Sequence, residues 1–256
     1  MDDDLGQPVT LPARVERVVS LVPSLTEALA SARRDALVGV TDWCTHPADL
    51  ADDPRVTRVR GTKNPDVRRV VDLAPDVVVA NKEENRELDV RRLREAGVPV
   101  WVTDVVDVPG AVGSMERLLD ALGWPRPPWL ERARADWCGP VPAVRGRVVV
   151  PVWRDPWMVV GPDTFTADLL RRLGLEVAGG DPASGRYPRA EVGELDAAGA
   201  DLVLLPDEPY VFTASDGPEA FALTPTRLVS GRLLTWYGPS LGDARAHVAE
   251  ATRDLE

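Results

Sequence analysis

The chain has 256 residues, of which 44% are hydrophobic and 28% are charged, and its formal net charge is −11. This length suffices for two α/β lobes, and the composition is that of an ordinary globular protein. An acidic chain without a basic patch repels a phosphate backbone, so we expect no nucleic-acid partner. No apolar run reaches the length of a membrane span. The acidic start, Met1–Asp4, lacks the features of a secretory signal, so we expect a cytoplasmic location.

Short apolar runs alternate with helical patterns along the first part of the chain. The Val-rich runs predict strands at 17–22, 37–40, 76–80 and 99–103, and the amphipathic repeats predict helices from residue 23, at 65–73 and at 85–96. Continuous apolar strands that alternate with helices are typical of a parallel sheet covered on both faces. We therefore predict an N-terminal α/β lobe over residues 1–108.

The stretch 109–145 shows no strand pattern. Its apolar residues keep a helical spacing on both sides of a proline cluster at 125–128, which predicts a helical connector. A second α/β lobe is predicted over 146–256, with strands at 147–152 and 201–205 and helices at 166–173, at 192–198 and from residue 240. The predicted fold class is thus α/β, with two Rossmann-like lobes that contain parallel sheets and are joined by a single long helix.

Two segments of the first half recur in the second half in the same order. Leu73–Ala80 resembles Ala198–Leu205, which lies 125 positions later, and Arg17–Val19 resembles Arg147–Val149. A period of this length excludes a short-repeat solenoid. It indicates a duplicated α/β lobe.

Aromatic and basic side chains concentrate in the segments that follow the predicted strands. Ligands of open parallel sheets bind beyond the carboxyl ends of the strands, and large flat side chains there suit a flat, partly apolar ligand. The basic members of the set would hold an anionic group of that ligand. The alternative for each ring is that it covers one end of the hydrophobic core. The candidate ligand-binding residues are Trp43, Lys63, Lys82, Trp153, Arg154, Trp157, Tyr187, Tyr210, Trp236 and Tyr237.

A thiol and an imidazole lie two positions apart after the second strand. Cys44 and His46, with Asp42 beside them, are possible ligands of a divalent metal or of a corrinoid cobalt. Acidic residues of other loops would have to complete the coordination shell. The alternative is a cysteine packed under the loop and a hydrogen-bonded histidine.

The segment Gly238–Gly242 matches the GxSxG pattern of a nucleophile elbow. Too little chain follows it to supply an acid and then a histidine in the order that this arrangement needs. His247 falls on the same predicted helix as the serine. We therefore do not predict a hydrolase.

The stretches 17–27, 37–43 and 61–85 resemble the cobalamin-type helical-backbone metal receptors, the class III periplasmic substrate-binding proteins. The stretches 147–161 and 234–239 resemble the second lobe of the same family. The resemblance implies a ligand held in a cleft between two lobes, where Trp43, Trp153, Tyr187, Trp236 and Tyr237 contact it. It also implies a corrinoid, a metal chelate or another flat polar-aromatic compound as that ligand, and a corrinoid or a divalent metal as the cofactor.

Two positions depart from the aromatic set of this family. Asn81 and Val59 stand where relatives often carry further aromatic residues. Because stacking on each ring adds to affinity, we expect cobalamin itself to bind weakly.

Two further positions bear on docking to an ABC permease. Family members that deliver to an importer carry a glutamate on each lobe, whereas Arg68 and Gly193 stand there in this chain. Glu191 and Glu194 could substitute in the second lobe alone. The leading hypothesis is thus a small-molecule-binding protein that does not serve import. The alternatives are an enzyme on the same scaffold, metal-dependent or not, and an importer's binding protein whose signal has been removed.

Overall fold

A computed structural model describes residues 1–50 and 52–255, with the backbone alone for Pro182. The chain divides into two compact units. Unit 1 consists of Met1–Val105, Gly110–Arg134 and Tyr237–Pro239, and unit 2 consists of Val106–Pro109, Ala135–Trp236 and the segment from Ser240 onward. Within the described ranges, no helix combines the length and the apolar character that crossing a bilayer requires.

Unit 1 contains a five-stranded parallel sheet with the order β3-β2-β1-β6-β7 and a small antiparallel hairpin, β4-β5. Its elements are β1 (Val18–Ser20), α1 (Pro23–Arg33), β2 (Leu37–Val40), β3 (Thr57–Arg58), β4 (Arg60–Gly61), β5 (Asn64–Pro65), α2 (Val67–Asp72), β6 (Val77–Asn81), α3 (Glu87–Glu95) and β7 (Val100–Thr103). The valine runs of β1 and β6 lie inside the sheet and that of β7 forms one edge, and side chains of all three strands pack with α2 and α3 in one buried cluster. Unit 1 thus has the α/β class with a parallel sheet that the sequence predicts for this part of the chain.

The predicted connector contains two helices, α4 (Val108–Leu122) and α5 (Pro128–Trp137). The prolines at 125, 127 and 128 explain the break, because proline removes a backbone donor and clashes with the preceding turn inside a helix. The first two residues of α4 belong to unit 2 and the rest of this helix to unit 1.

Unit 2 contains a four-stranded parallel sheet with the order β11-β8-β12-β13 and an antiparallel pair, β9-β10. Its elements are β8 (Gly146–Val149), β9 (Pro151–Trp153), β10 (Met158–Val159), α6 (Phe165–Arg171), β11 (Leu175–Val177), α7 (Val192–Asp196), β12 (Leu202–Pro206), β13 (Thr226–Val229), α8 (Gly231–Thr235) and α9 (Leu241–Ala251). The sequence did not predict β11 and β13. Both lie at edges of the sheet and carry exposed polar side chains, so neither shows a continuous apolar run.

The strand order gives each sheet one topological switch point. In unit 1 the chain runs outward from β1 to β2 and β3, and then continues with β6 on the other side of β1. In unit 2 it runs from β8 to β11 and continues with β12 on the other side of β8. Loops from adjacent strands diverge at such points and leave a crevice at the carboxyl ends. The candidate site of each unit is therefore expected after β1 and β6, and after β8 and β12.

The recurring sequence segments form the same hydrogen-bonded clasp in the two units. In unit 1, Asp76 accepts the backbone N–H of Arg17 at 2.8 Å, and its own N–H donates to the Arg17 carbonyl. The Arg17 guanidinium donates to the carbonyls of Leu73 and Ala74, in the turn before β6. This clasp ties the start of β1 to the start of β6.

In unit 2 the equivalent residues make the equivalent bonds. Asp201 accepts the N–H of Arg147 at 2.7 Å, and the Arg147 guanidinium reaches the carbonyls of Ala198 and Gly199. The turn residue has a positive φ in both units, 44° at Ala74 and 67° at Gly199. The duplication inferred from the sequence is thus a repeated local structure as well.

The acidic N-terminal residues have structural partners in unit 1. The buried carboxylate of Asp3 accepts the N–H of Val102 in β7 and pairs with Arg94 at 3.0 Å. The carboxylate of Asp4 accepts the N–H of Asp104 at 3.1 Å. These two residues therefore hold the first segment of the chain on the edge of the sheet at β7.

We predict that Asp76→Ala and Asp201→Ala each lower the free energy of unfolding by about 1 kcal/mol, because each leaves backbone donors at a strand start without their acceptor. Chemical denaturation followed by circular dichroism measures the change. Asp72→Ala, which removes an exposed carboxylate outside the clasp, is the control. An equal loss in the control would contradict the role of the clasp.

Candidate functional site

Two buried asparagines organise the loop that follows β6 in unit 1. The Asn81 side-chain amide donates to Thr103 at the end of β7, and its oxygen accepts the N–H groups of Glu83 and Glu84. The Asn85 amide accepts the Asn81 N–H and donates to the carbonyl of Leu21, beyond the end of β1. The loop at the switch point is therefore held rigidly by amide hydrogen bonds.

These hydrogen bonds are a structural reason for an asparagine, and not an aromatic residue, at position 81. A buried amide with two donated and two accepted hydrogen bonds is costly to replace, because its partners would lose their bonds. Val59, the other position where an aromatic residue is missing, is fully buried in the core cluster of unit 1. The structure thus places neither side chain on an exposed surface.

Tyr237 lies buried at the same edge of unit 1. Its phenol is next to the side chains of Ser24 and Thr103, and burial raises its pKa, with the nearby Glu84 carboxylate adding to the rise. The partly buried carboxyl of Glu84 also has a raised pKa, because desolvation outweighs the opposing effect of Lys63. Tyr237, Glu84 and Lys63 therefore form one electrostatically coupled group beyond β6.

Trp43 is the most exposed aromatic residue of unit 1, with 67% of its surface accessible. Its indole lies over the β4-β5 hairpin, where a Cβ on Gly61 would meet Nε1 at 3.2 Å and the Asn64 side chain at 2.6 Å. A side chain at this position would therefore displace the Asn64 amide or the Trp43 indole from its observed place. The Arg58 guanidinium donates to the carbonyls of Thr41 and Cys44, which fixes the loop that carries the indole.

The structure does not assemble a metal site around Cys44 and His46. The Cys44 thiol is fully buried between the hydroxyls of Thr26 and Thr41, at 3.0 and 3.1 Å, and burial raises its pKa. The His46 ring lies beside the Thr45 hydroxyl instead. Over residues 1–50 and 52–255 no group of three His, Cys, Asp or Glu side chains is placed to hold a metal ion.

In unit 2, Trp153 and Tyr210 meet at the switch point. Trp153 ends β9, shortly after β8, and Tyr210 follows β12; their ring centroids are 5.7 Å apart at an interplanar angle of 77°. Trp153 is 45% exposed. The Tyr210 hydroxyl donates to Asp216 at 2.6 Å, which fixes the tyrosine ring. The two rings form a right-angled aromatic corner.

Arg154 is held by two carboxylates beside this corner. Its guanidinium pairs with Asp216 and, at 2.5 Å, with Glu219, and the Glu219 carboxylate raises the pKa of the arginine. It also lies over the Trp157 ring, 5.3 Å from the centroid. The acids are more than 60 positions away along the chain, so the sequence offered no signal for this pairing.

The two lysines of the candidate set are engaged as well. Lys82 pairs with Asp104 at 2.7 Å, and Lys63 donates to the backbone carbonyl of Glu83. All three basic residues expected to hold an anionic group therefore already have acidic or carbonyl partners.

The remaining aromatic candidates differ in exposure. Trp157 is only 9% exposed and stacks on Phe212 in the core of unit 2, which corresponds to the alternative of a ring that covers the core. Trp236 is also buried, with the Arg232 guanidinium over its ring. Tyr187, in the loop before α7, is 37% exposed.

The loop after β12 depends on a second close approach. The Gly231 N–H donates to Asp207 at 2.7 Å, and a Cβ at this glycine would lie 2.6 Å from the Glu208 carbonyl. Beyond it, His247 accepts the N–H of Ser230, and the Ser240 hydroxyl donates to the Trp236 carbonyl. The GxSxG serine and the nearby histidine thus have separate structural partners.

Two cavities of unit 2 lie apart from these residues. One, of about 520 Å³, is lined by Asp107, Thr164 and Arg171 among others, and one of about 280 Å³ lies near the amino ends of β12 and β13. No candidate ligand-binding residue lines either cavity. The candidate site therefore lies in the loops at the switch points.

Over part of its length the chain is similar to proteins that are named as vitamin B12-binding or substrate-binding proteins. The chain is 30% identical to the vitamin B12-binding protein of Vibrio parahaemolyticus over 105 residues, which cover 41% of this chain and 37% of that relative. It is 32% identical to the uncharacterized ABC transporter substrate-binding lipoprotein YvrC of Bacillus subtilis, over 48% of this chain and 39% of the relative. No protein-family model matches the chain.

Solved structures share the fold over almost the whole chain. The periplasmic vitamin B12-binding protein BtuF of Vibrio cholerae superposes with a TM-score of 0.74 at 16% identity, covering 95% of this chain and 99% of that protein. The periplasmic heme-binding protein BhuT, in complex with two hemes, superposes with a TM-score of 0.72 at 24% identity, covering 93% and 98%. The predicted resemblance to class III substrate-binding proteins is therefore confirmed in the fold.

We predict that Glu84→Gln stabilises the protein at neutral pH and has little effect at about pH 4. The folded state raises the pKa of Glu84, so the fold favours the protonated carboxyl and loses stability as the pH rises through that pKa. Glutamine keeps the shape and cannot ionise. Thermal unfolding across this pH range, with the exposed Glu95→Gln as control, measures the difference. A Glu84→Gln effect that does not change with pH would contradict the assignment.

Proposed function

We propose that this chain is a substrate-binding protein that captures a flat, partly apolar small molecule through exposed aromatic residues beyond its parallel sheets. One observation carries the proposal. Six of the eight tryptophans, all of which lie in the described ranges, are buried, and the two exposed ones are Trp43 and Trp153. Each exposed indole lies beyond the carboxyl end of a strand of a parallel sheet, Trp43 after β2 and Trp153 at the end of β9, shortly after β8, where ligands of such folds bind.

Exposed indoles at these positions suit ligand capture on physical grounds. Covering an aromatic face removes apolar area from water, which contributes on the order of 1–3 kcal/mol per ring. The supporting contacts, Gly61 under Trp43 and Tyr210 beside Trp153, keep the rings in place before a ligand arrives. A preorganised ring loses little side-chain entropy on binding.

A corrinoid or another metal chelate is the proposed ligand class. The relatives and structural neighbours include proteins named for binding vitamin B12 and heme, both of which are flat macrocycles around a metal. The metal in such a ligand arrives already chelated, so the protein needs no cluster of metal ligands of its own. We keep the expectation that cobalamin binds weakly, since Asn81 and Val59 offer no rings.

Delivery to a membrane importer is the second candidate function. It is favoured over a role outside import by the Bacillus subtilis relative, which is named as an ABC transporter substrate-binding lipoprotein. Arg68 on α2 and Gly193 on α7 are both exposed on the surfaces of their units. The weak permease docking expected from these two residues stays a prediction, and import assays with Arg68→Glu test it.

We predict that Trp153→Ala and Trp43→Ala each weaken binding of a corrinoid probe, dicyanocobinamide, by about tenfold while they change stability little. Loss of an aromatic stacking partner weakens binding by about 1 kcal/mol in addition to the loss of buried apolar area. A partly exposed ring contributes less to the stability of the core than a buried ring does. Isothermal titration and thermal unfolding measure the two effects.

Trp101→Ala is the matched control, since Trp101 is 1% exposed in the centre of β7. We expect this variant to lose about 3–5 kcal/mol of stability. If Trp153→Ala unfolds the protein as readily as Trp101→Ala, that ring belongs to the core and the proposal loses its main support.

A further inference from the structure

The aromatic corner of unit 2 has an unbalanced electrostatic environment. Arg154 supplies one positive charge, whereas Asp155, Asp216 and Glu219 supply three negative charges, which leaves two in excess. Asp216 bonds directly to Tyr210, and Asp155 acts electrostatically on both Tyr210 and Arg154. The exposed face of Trp153 therefore lies in a region of negative potential.

The charge of the arginine is already balanced by two acids. Its guanidinium pairs through Nη1 with Asp216 and Glu219 and lies over the Trp157 ring, and its side chain is less than one-quarter exposed. An anionic group that approached Trp153 would be repelled by the carboxylates that remain in excess. It would also meet Asp155, for which no ion pair is present within the described residues.

A cationic group finds the opposite conditions at the same place. The face of an indole or phenol ring carries negative partial charge and attracts cations within about 6 Å of its centroid. Two rings at right angles, as Trp153 and Tyr210 are, present two such surfaces to one group. Nearby carboxylates also attract a cationic group. Salt screens this attraction only in part at a partly exposed surface.

We propose that the corner formed by Trp153 and Tyr210 receives a positively charged group of the ligand, such as an alkylated ammonium or pyridinium. The inference rests on the proposed function, since it assigns the chemical class of ligand for the same loops. It replaces the anionic group expected from the basic residues alone. Flat dianionic macrocycles are accordingly disfavoured, and cationic flat compounds are favoured.

The test compares two probes with one ring system and opposite charge. These are meso-tetrakis(N-methylpyridinium-4-yl)porphyrin and meso-tetrakis(4-sulfonatophenyl)porphyrin, each titrated against the full chain. A salt concentration of about 150 mM screens the negative net charge of the protein. We expect the cationic probe to bind about tenfold more tightly, and Trp153→Ala to reduce its affinity by about fivefold. Trp153→Phe, which keeps a π face, should restore most of the affinity.

A charge variant separates the local effect from the net charge of the protein. Glu219→Gln removes one partner of Arg154 and should shift the preference toward the anionic probe by about threefold. Glu250→Gln changes the net charge by the same amount, but Glu250 lies on α9 and pairs with Arg253 instead of Arg154. We therefore expect this variant to leave the preference between the two probes unchanged. Equal shifts in the two variants would overturn the assignment to the corner.

The outcomes also distinguish the inference from the function on which it rests. Tighter binding of the anionic probe, lost in Trp153→Ala, would overturn the charge assignment and leave the aromatic site intact. Binding of both probes that is insensitive to Trp153→Ala, or no binding of either, would overturn the charge assignment and count against the aromatic site as well.

Discussion

The fold depends on how the two central strands of each sheet are joined at their amino ends. In each unit an arginine at the start of one strand donates to carbonyls of the turn before the other strand, and an aspartate there accepts the N–H of the arginine. This clasp joins the strands that lie side by side. Because β1 neighbours β6, and β8 neighbours β12, the switch point of each sheet falls at the opposite end of these pairs. The candidate site therefore lies at the other end of the strands from the clasp.

The two switch points use different chemistry to hold their loops. Unit 1 relies on the amides of Asn81 and Asn85, which are buried and saturated with hydrogen bonds. Unit 2 relies on rings and carboxylates, with Tyr210 bonded to Asp216 and Arg154 bonded to Asp216 and Glu219. The network of unit 2 lies beside the exposed Trp153, whereas Arg58 holds the loop of the exposed Trp43 in unit 1. The two units therefore differ in the chemistry of these loops and share the clasp at the other end of their strands.

The basic residues of the candidate set already have hydrogen-bond or ion-pair partners in the folded protein. Lys63, Lys82 and Arg154 are cations in the sequence, and in the folded protein each one is bound by an acidic or carbonyl group. For Arg154, which is partly buried and pairs with two carboxylates, this pairing offsets the positive charge that a ligand anion would meet. The local potential is therefore set by the carboxylates that remain in excess.

The sequence by itself determined the α/β class, the duplication, most of the central strands and the loops that carry the exposed indoles. These features follow from local patterns, since valine runs, helical periodicity and strand-end positions are visible within a few residues. It did not show β11 and β13, which lie at the sheet edges and include exposed polar side chains. Nor did it distinguish Trp153, which is exposed, from Trp157, which packs in the core four positions later. Only the tertiary structure decided this difference and the pairing of Arg154, because burial and ion pairs depend on residues such as Phe212 and Glu219 that are distant along the chain.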